Sequence, residues 1–400
     1  DGRPLLLILC GRSDRPFRSM DRVRDGTALS LHPTVVPLPP LTPAEVGSVV
    51  STMLGTGGAA KELAEALHAE TEGNAFFVAE FMRSLIQQGV IAEAPGGGHR
   101  LTVNAVDLAG GQLAIPPSVR VMIRNRLQPL TAVQRDLVDV LSVAGRETDL
   151  DLVLDVLGLD EDEALDAMDA LVQSGLGTER RLSGELLIDF THRKVGDVAY
   201  RDLSPSWRAD LHRRLAVALE MQQADNPATS EAIGDHYLKS GESGKAYRYL
   251  ARTARRLWRR SLTGEAWSIS ERAIGLSESA AGDLPEEEYD QARLALLEVR
   301  AYVAYNRGEW TQAENVLASL QSVAAKVGET DLSIEASLDR GVALKRLGRE
   351  DAGRRMIEDV MVAARAQGNR KTVIEALRRQ SLFAWERGDL ATCERLATQG

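Results

Sequence analysis

The chain has 400 residues, of which 44% are apolar, 26% charged and only 4% aromatic, a globular composition too long for one compact core and weighted toward helix formers. Its net charge of -10 supplies no basic field for nucleic acid or anionic membrane. Two cysteines, Cys10 and Cys393, exclude a disulfide framework or a cysteine metal site and favour a cytoplasmic setting.

The aliphatic run Leu5 to Leu9, followed by Cys10, Gly11 and Arg12, predicts a fully buried strand ending in a polar loop. It is too short to span a bilayer. A buried parallel strand needs partners in an α/β sheet, and the next strand-like stretch is Thr34 to Leu38, so further strands are expected upstream of Asp1. Helices are then predicted from Thr42 to about Leu54, with Thr42 as cap and Pro43 opening the first turn, from Lys61 to Glu70, and from Ala75 to Gln88. Phe76, Phe77, Phe81 and Leu85 share one side of the last. Gly89 ends it, and Val90 to Ala92 with Arg100 to Val103 predict a short hairpin.

A new unit starts at Ile115, Pro116, Pro117 and Ser118. Helices over 118–128, 131–144, 149–157 and 160–174 precede strands near 177–181 and 185–190, the parts of a winged helix. Residues 121–227 hold 12 Lys/Arg against 20 Asp/Glu, the wrong sign for phosphate neutralisation, so a structural or protein-contacting winged helix is expected rather than a DNA reader. Beyond it, Gly308, Gly348 and Gly388 recur 40 residues apart with basic and acidic flanks. Gly328 matches Gly368, and the Ile-Glu-Ala of 334–336 recurs at 374–376. Each period predicts two helices and a glycine turn, a solenoid similar to tetratricopeptide (TPR) repeats. Segments beginning at Ser243 and Thr263 open second helices of earlier, less regular repeats. The last repeat is expected to run on past Gly400.

No phosphate-loop spacing occurs: Gly57 to Lys61 is mis-spaced, and Ser243 to Ala246 follows a helix. The six histidines form no metal-like cluster, and no hydrolase motif is present. His212 and His236 read as helix-packing residues. Arg252, Arg255, Arg256, Arg259 and Arg260 make a basic stripe at helical spacing, read as a solvated helix face in preference to an acidic-partner patch.

The segment Gly73, Asn74, Ala75, Phe76, Phe77 resembles the Gly-Asn-Pro-Phe-Phe segment of STAND-type signalling ATPases, the AAA-related family that includes large LuxR-type and maltose-activator-type regulators. Further similar segments follow in that family's order: Leu7 to Arg12, Ile115 to Arg120 with Arg126 and Leu127, Phe190 to His192 with Tyr200 and Leu203, and Leu211 to Ala216. Ala75 stands where the family carries proline. The resemblance implies a mainly α chain divided into the end of an α/β nucleotide-binding domain (1–40), a helical lid plus hairpin (41–114), a winged helix (115–205) and a TPR-like α-solenoid (206–400). It implies ATP or ADP as cofactor, with magnesium in the complete protein. Arg12 would be the sensor arginine or else a solvated loop residue. Asn74, Ala75 and Phe76 would lie near the base and ribose, with core packing as the other reading of the phenylalanines. His192 would touch the β-phosphate of ADP or else be a surface histidine. These residues contain no complete catalytic site, and little nucleotide binding is expected from them alone. The expected partners are a protein or small-molecule ligand on the concave solenoid face, with self-assembly, and neither nucleic acid nor membrane. A non-enzymatic TPR scaffold with a degenerate NTPase-like half is the second reading.

Overall fold

The computed structural model describes residues 36–54, 58–94, 99–102, 114–145, 147–182, 184–223 and 229–398. The chain divides into two compact units, Asp1–Leu211 and His212–Gly400. The expected strand Leu5 to Leu9 and the sensor candidate Arg12 lie outside the described residues. So do Thr34 and Val35, while Val36, Pro37 and Leu38 adopt no strand. Pro37 has no N–H to give a ladder.

In the first unit α1 (Pro43–Leu54), α2 (Gly58–Thr71) and α3 (Ala75–Gln87) precede a hairpin of β1 (Ile91–Glu93) and β2 (His99–Leu101). Thr42 and Glu45 form a reciprocal capping box at α1: the Thr42 N–H donates to Glu45 Oε2 at 2.8 Å, and the Glu45 N–H returns to Thr42 Oγ1 at 3.3 Å. Helices α4 (Pro117–Leu127), α5 (Ala132–Ala144), α6 (Leu150–Leu157) and α7 (Glu161–Gln173) follow. A three-stranded antiparallel sheet comes with them, β3 (Thr148–Asp149), β4 (Gly177–Leu182) and β5 (Glu185–Phe190), in the order β3-β5-β4. Then come α8 (Arg193–Asp202) and α9 (Pro205–Gln223). One continuous core runs through this unit, from Val46, Leu63 and Phe81 through Ile123 and Leu141 to Ile188 and Val198.

The division between units falls inside α9. The second unit continues with α10 (Ser230–Ser240), α11 (Ser243–Arg259), α12 (Thr263–Ile274), the short α13 (Ser277–Asp283) and α14 (Glu286–Arg307). From α15 (Trp310–Lys326) the pattern becomes regular: α16 (Thr330–Arg346), α17 (Glu350–Ala366), α18 (Arg370–Glu386) and α19 (Leu390–Ala397) each start 20 residues after the last. The turn before each is a glycine in the left-handed region, at Gly308, Gly328, Gly348, Gly368 and Gly388, with φ between 69° and 82°. The hydrophobic clusters follow the same order. One reaches from Tyr247 to Val299, a second from Leu294 to Ala343, and a third from Leu338 to Phe383. The unit is therefore mainly α, with consecutive helical hairpins that bury their apolar sides on their neighbours.

His212 and His236 pack against each other, buried, with Nδ1 atoms 2.8 Å apart. The basic stripe of α11 is not uniformly solvated. Arg259 and Arg260 are exposed, Arg255 lies 2.7 Å from Glu298 of α14, and Arg256 is half-buried. Burial, with Arg260 close by, pushes the Arg256 guanidinium below its usual range.

Polar clamps tie one repeat to the next. Glu386 at the end of α18 accepts from Lys345 Nζ at 2.8 Å and Arg346 Nη2 at 2.6 Å, both on α16. These bonds, Lys345 foremost, hold its carboxyl below the usual value of 4.5. A depressed folded pKa gives stability above the unfolded pKa that fades as pH falls through the folded one. Glu386→Gln is expected to cost about 1 kcal/mol near pH 7. The difference from wild type should start to narrow as pH falls past the ordinary glutamate range and close only below the depressed folded value, as followed by urea unfolding across a pH series.

Candidate functional site

The site candidates converge where α3 begins. Asn74 caps that helix: its Oδ1 accepts from the backbone N–H groups of Phe76 at 3.1 Å and Phe77 at 3.3 Å. Ala75 takes the first helical position, a place that proline tolerates well, so either residue suits this turn. Just before the cap, Gly73 sits at φ 73°. Its carbonyl accepts from the Leu41 N–H at 2.7 Å, which pins the chain entering α1 to the turn entering α3.

The amide of Asn74 reaches across to His192, whose Nε2 lies 3.3 Å from Asn74 Nδ2. These residues stand 118 positions apart in the chain, and both were singled out from the sequence. The capping bonds fix which end of the amide is oxygen, so Nδ2 is the donor and His192 Nε2 the acceptor. The imidazole proton then belongs on Nδ1. That atom is buried and has no hydrogen-bond partner, and the nearest carboxylate, Glu72 Oε2, is 3.7 Å away. Beside it the Thr191 hydroxyl is also buried without a partner. Phe77 meets the imidazole edge-on, with centroids 5.6 Å apart. The structure thus joins Asn74 and His192, while Ala75 and Phe76 stay exposed and the Phe76 ring lies against Phe77.

Two further bridges cross the same seam. Lys194, almost wholly buried at the start of α8, pairs with Glu70 of α2 and lies 3.0 Å from Asp197. Glu80, buried on α3, accepts from the Ser118 hydroxyl of α4 and pairs with Arg83. Sequence reasoning found neither. Lys194 stands among Val195, Val198 and Ala199, and a cation in an apolar helix start is the signal that it has a buried partner. Burial raises the Asp189 carboxyl, and the charges of Glu147 and Glu72 add to this.

Among the described residues no group of three or more His, Cys, Asp and Glu is placed to hold a metal ion, and no helix is long and apolar enough to cross a membrane. No family model matches the chain, and no curated protein matches it. Among solved structures it is similar to a signal transduction ATPase with numerous domains (STAND) that carries a tetratricopeptide repeat sensor, from Pyrococcus horikoshii, at 14% identity and a TM-score of 0.33. The alignment covers 89% of this chain and 56% of that one. So low a score gives the likeness no weight for function.

Proposed function

We propose that this chain is the regulatory part of an ATP/ADP-switched signal-transduction protein of the STAND kind. In this reading residues 41–114 are a lid, 115–205 a winged helix, and 206–400 a TPR-like array that senses a ligand or partner. One observation carries it: Asn74 and His192 meet at the seam between lid and winged helix, and the meeting leaves His192 Nδ1–H a buried donor without an acceptor. A buried orphan donor is costly, and a phosphate oxygen of ADP would satisfy it. ADP supplies the charge that holds the closed state. The chain's own part is to offer the Nδ1 proton, to fix the ring through Asn74 and Phe77, and to keep water from it. The seam is bridged by polar pairs, Lys194 with Glu70 and Glu80 with Ser118. Such groups regain hydration when parted, which suits a joint that opens. A ligand that prefers the open state on the concave side of the array would shift the population.

Glu72 puts negative charge 3.7 Å from His192 Nδ1, and that favours a second reading, a scaffold whose seam never takes nucleotide. The two are separated by ADP affinity measured calorimetrically on a protein extended upstream of Asp1. His192→Ala is expected to weaken ADP about tenfold or more, the worth of one charge-assisted hydrogen bond. Unchanged affinity removes His192 from the switch, and absence of ADP binding to the unaltered protein establishes the scaffold.

A further inference from the structure

The second unit holds a cavity of about 550 Å3 whose walls include Tyr305 of α14, Asp339 and Val342 of α16, and Arg378, Leu382 and Trp385 of α18. That volume falls in the range of roughly 300–1,000 Å3 common to small-molecule sites. Arg378, Leu382 and Trp385 stand at i, i+4 and i+7, one stripe of a single helix. Its apolar members are open to solvent, Leu382 at 37% and Trp385 at 60% exposure. Leu377 and Phe383 on the same helix are buried.

The polar groups divide into those engaged and those available. Arg379 binds Asp339 Oδ1 through Nε at 3.2 Å and Nη2 at 2.8 Å, and Glu375 through Nη1 at 2.5 Å. Arg378 is 77% exposed, and its nearest carboxylate is that same Glu375 at 3.7 Å. Arg378 lines the cavity, and at 3.7 Å from Glu375 its guanidinium keeps donors to give. Burial, then Asp339, raises the Tyr305 phenol above its ordinary value, so its hydroxyl stays protonated and adds a donor. Asp339 and Glu375 balance the two arginines. A ligand with two negative charges would be repelled by those carboxylates, whereas a single carboxylate needs only the Arg378 fork.

We propose that this cavity binds a small amphipathic carboxylate, its apolar or aromatic body against Trp385, Leu382 and Val342 and its single carboxylate on Arg378. The proposal rests on the sensing role proposed above for the repeat array and names the class of ligand sensed.

The test titrates the 400-residue chain with phenylacetate, its neutral analogue phenylacetamide, and phenyl phosphate, read by calorimetry and by tryptophan emission. Phenylacetate is expected to bind saturably, and the amide about tenfold more weakly. Phenyl phosphate should bind more weakly than phenylacetate. Arg378→Gln should make acid and amide equal without moving the thermal unfolding midpoint, and Trp385→Ala should weaken both. Equal binding of acid and amide to the unaltered chain, undiminished phenylacetate binding by Arg378→Gln, or no saturable binding overturns the proposal. Failure of the sensing role reads differently: phenylacetate then binds and leaves ADP affinity of the upstream-extended protein unchanged.

Discussion

Gly73→Ala is expected to destabilise the first unit by about 4 kcal/mol, at the upper end of single-residue effects. Two separate costs combine. Gly73 has φ 73°, a conformation that costs an L-residue roughly 1–2 kcal/mol. A methyl group there would also lie 2.0 Å from the Leu41 carbonyl oxygen, and backbone on both sides leaves nothing flexible to give way. Relief requires breaking the 2.7 Å bond from the Leu41 N–H to the Gly73 carbonyl, which separates α1 from the start of α3. Gly89, at φ 72° with nothing within 4 Å of an added Cβ, isolates the conformational part, so Gly89→Ala should lose only about 1 kcal/mol. Urea unfolding of the two variants measures the difference. Similar losses in both would mean that the close approach to Leu41 contributes nothing.

The second large effect is a reversal of sign. In a helix interior Gly→Ala ordinarily stabilises by roughly 0.5–1 kcal/mol, and Gly47→Ala in α1, with nothing within 4 Å, should do so. Gly353→Ala in α17 should instead destabilise the second unit by about 2–3 kcal/mol. Its Cβ would stand 2.3 Å from the Gly341 carbonyl oxygen of α16, and a Cβ on Gly341 would stand 2.7 Å from Ile357 Cγ1. The two helices cross backbone to backbone at this pair, and a methyl group must push them apart along the contact that buries Val342 and Ile357. Hydrogen exchange localised to α16 and α17 should show the loss. A stabilised Gly353→Ala would disprove the crossing geometry.

These glycines show where the sequence was legible and where it was not. Gly308, Gly348 and Gly388 announce themselves by period, because a left-handed turn needs glycine wherever it recurs, and the helices of the second unit follow from them. Gly341 and Gly353 sit inside helices and serve a contact between two elements, which no local pattern encodes. The same holds in the first unit. Thr42 marks a helix start by chemistry that reaches only three residues ahead, and it acts as a cap; the structure adds Asn74 as the cap of α3. The strand β3 is two residues long and exists through its pairing with β5, so a helix beginning at Asp149 was all the pattern could carry. The pairing of Lys194 with Glu70 spans 124 positions and left only an out-of-place lysine as its trace. For the site, similarity to a family picked out Asn74 and His192 separately. Their contact, and the unshared Nδ1 proton that results, came from the fold.

The 20-residue spacing of the turns also governs how the second unit is built. In the second unit the clamps between repeats span about one period, as with Arg346 and Glu386, Arg379 and Asp339, or Lys326 and Glu286, each pair 40 positions apart. Such short closures lose little chain entropy, so successive helical pairs can form as they are synthesised, each on its predecessor. The first unit must instead bring Glu70 to Lys194 and Asn74 to His192 before its seam exists. Its assembly therefore waits for the polypeptide to pass α8, and a ribosome-bound chain stopped before that point would hold α1 to α3 with their acidic edge still unmet.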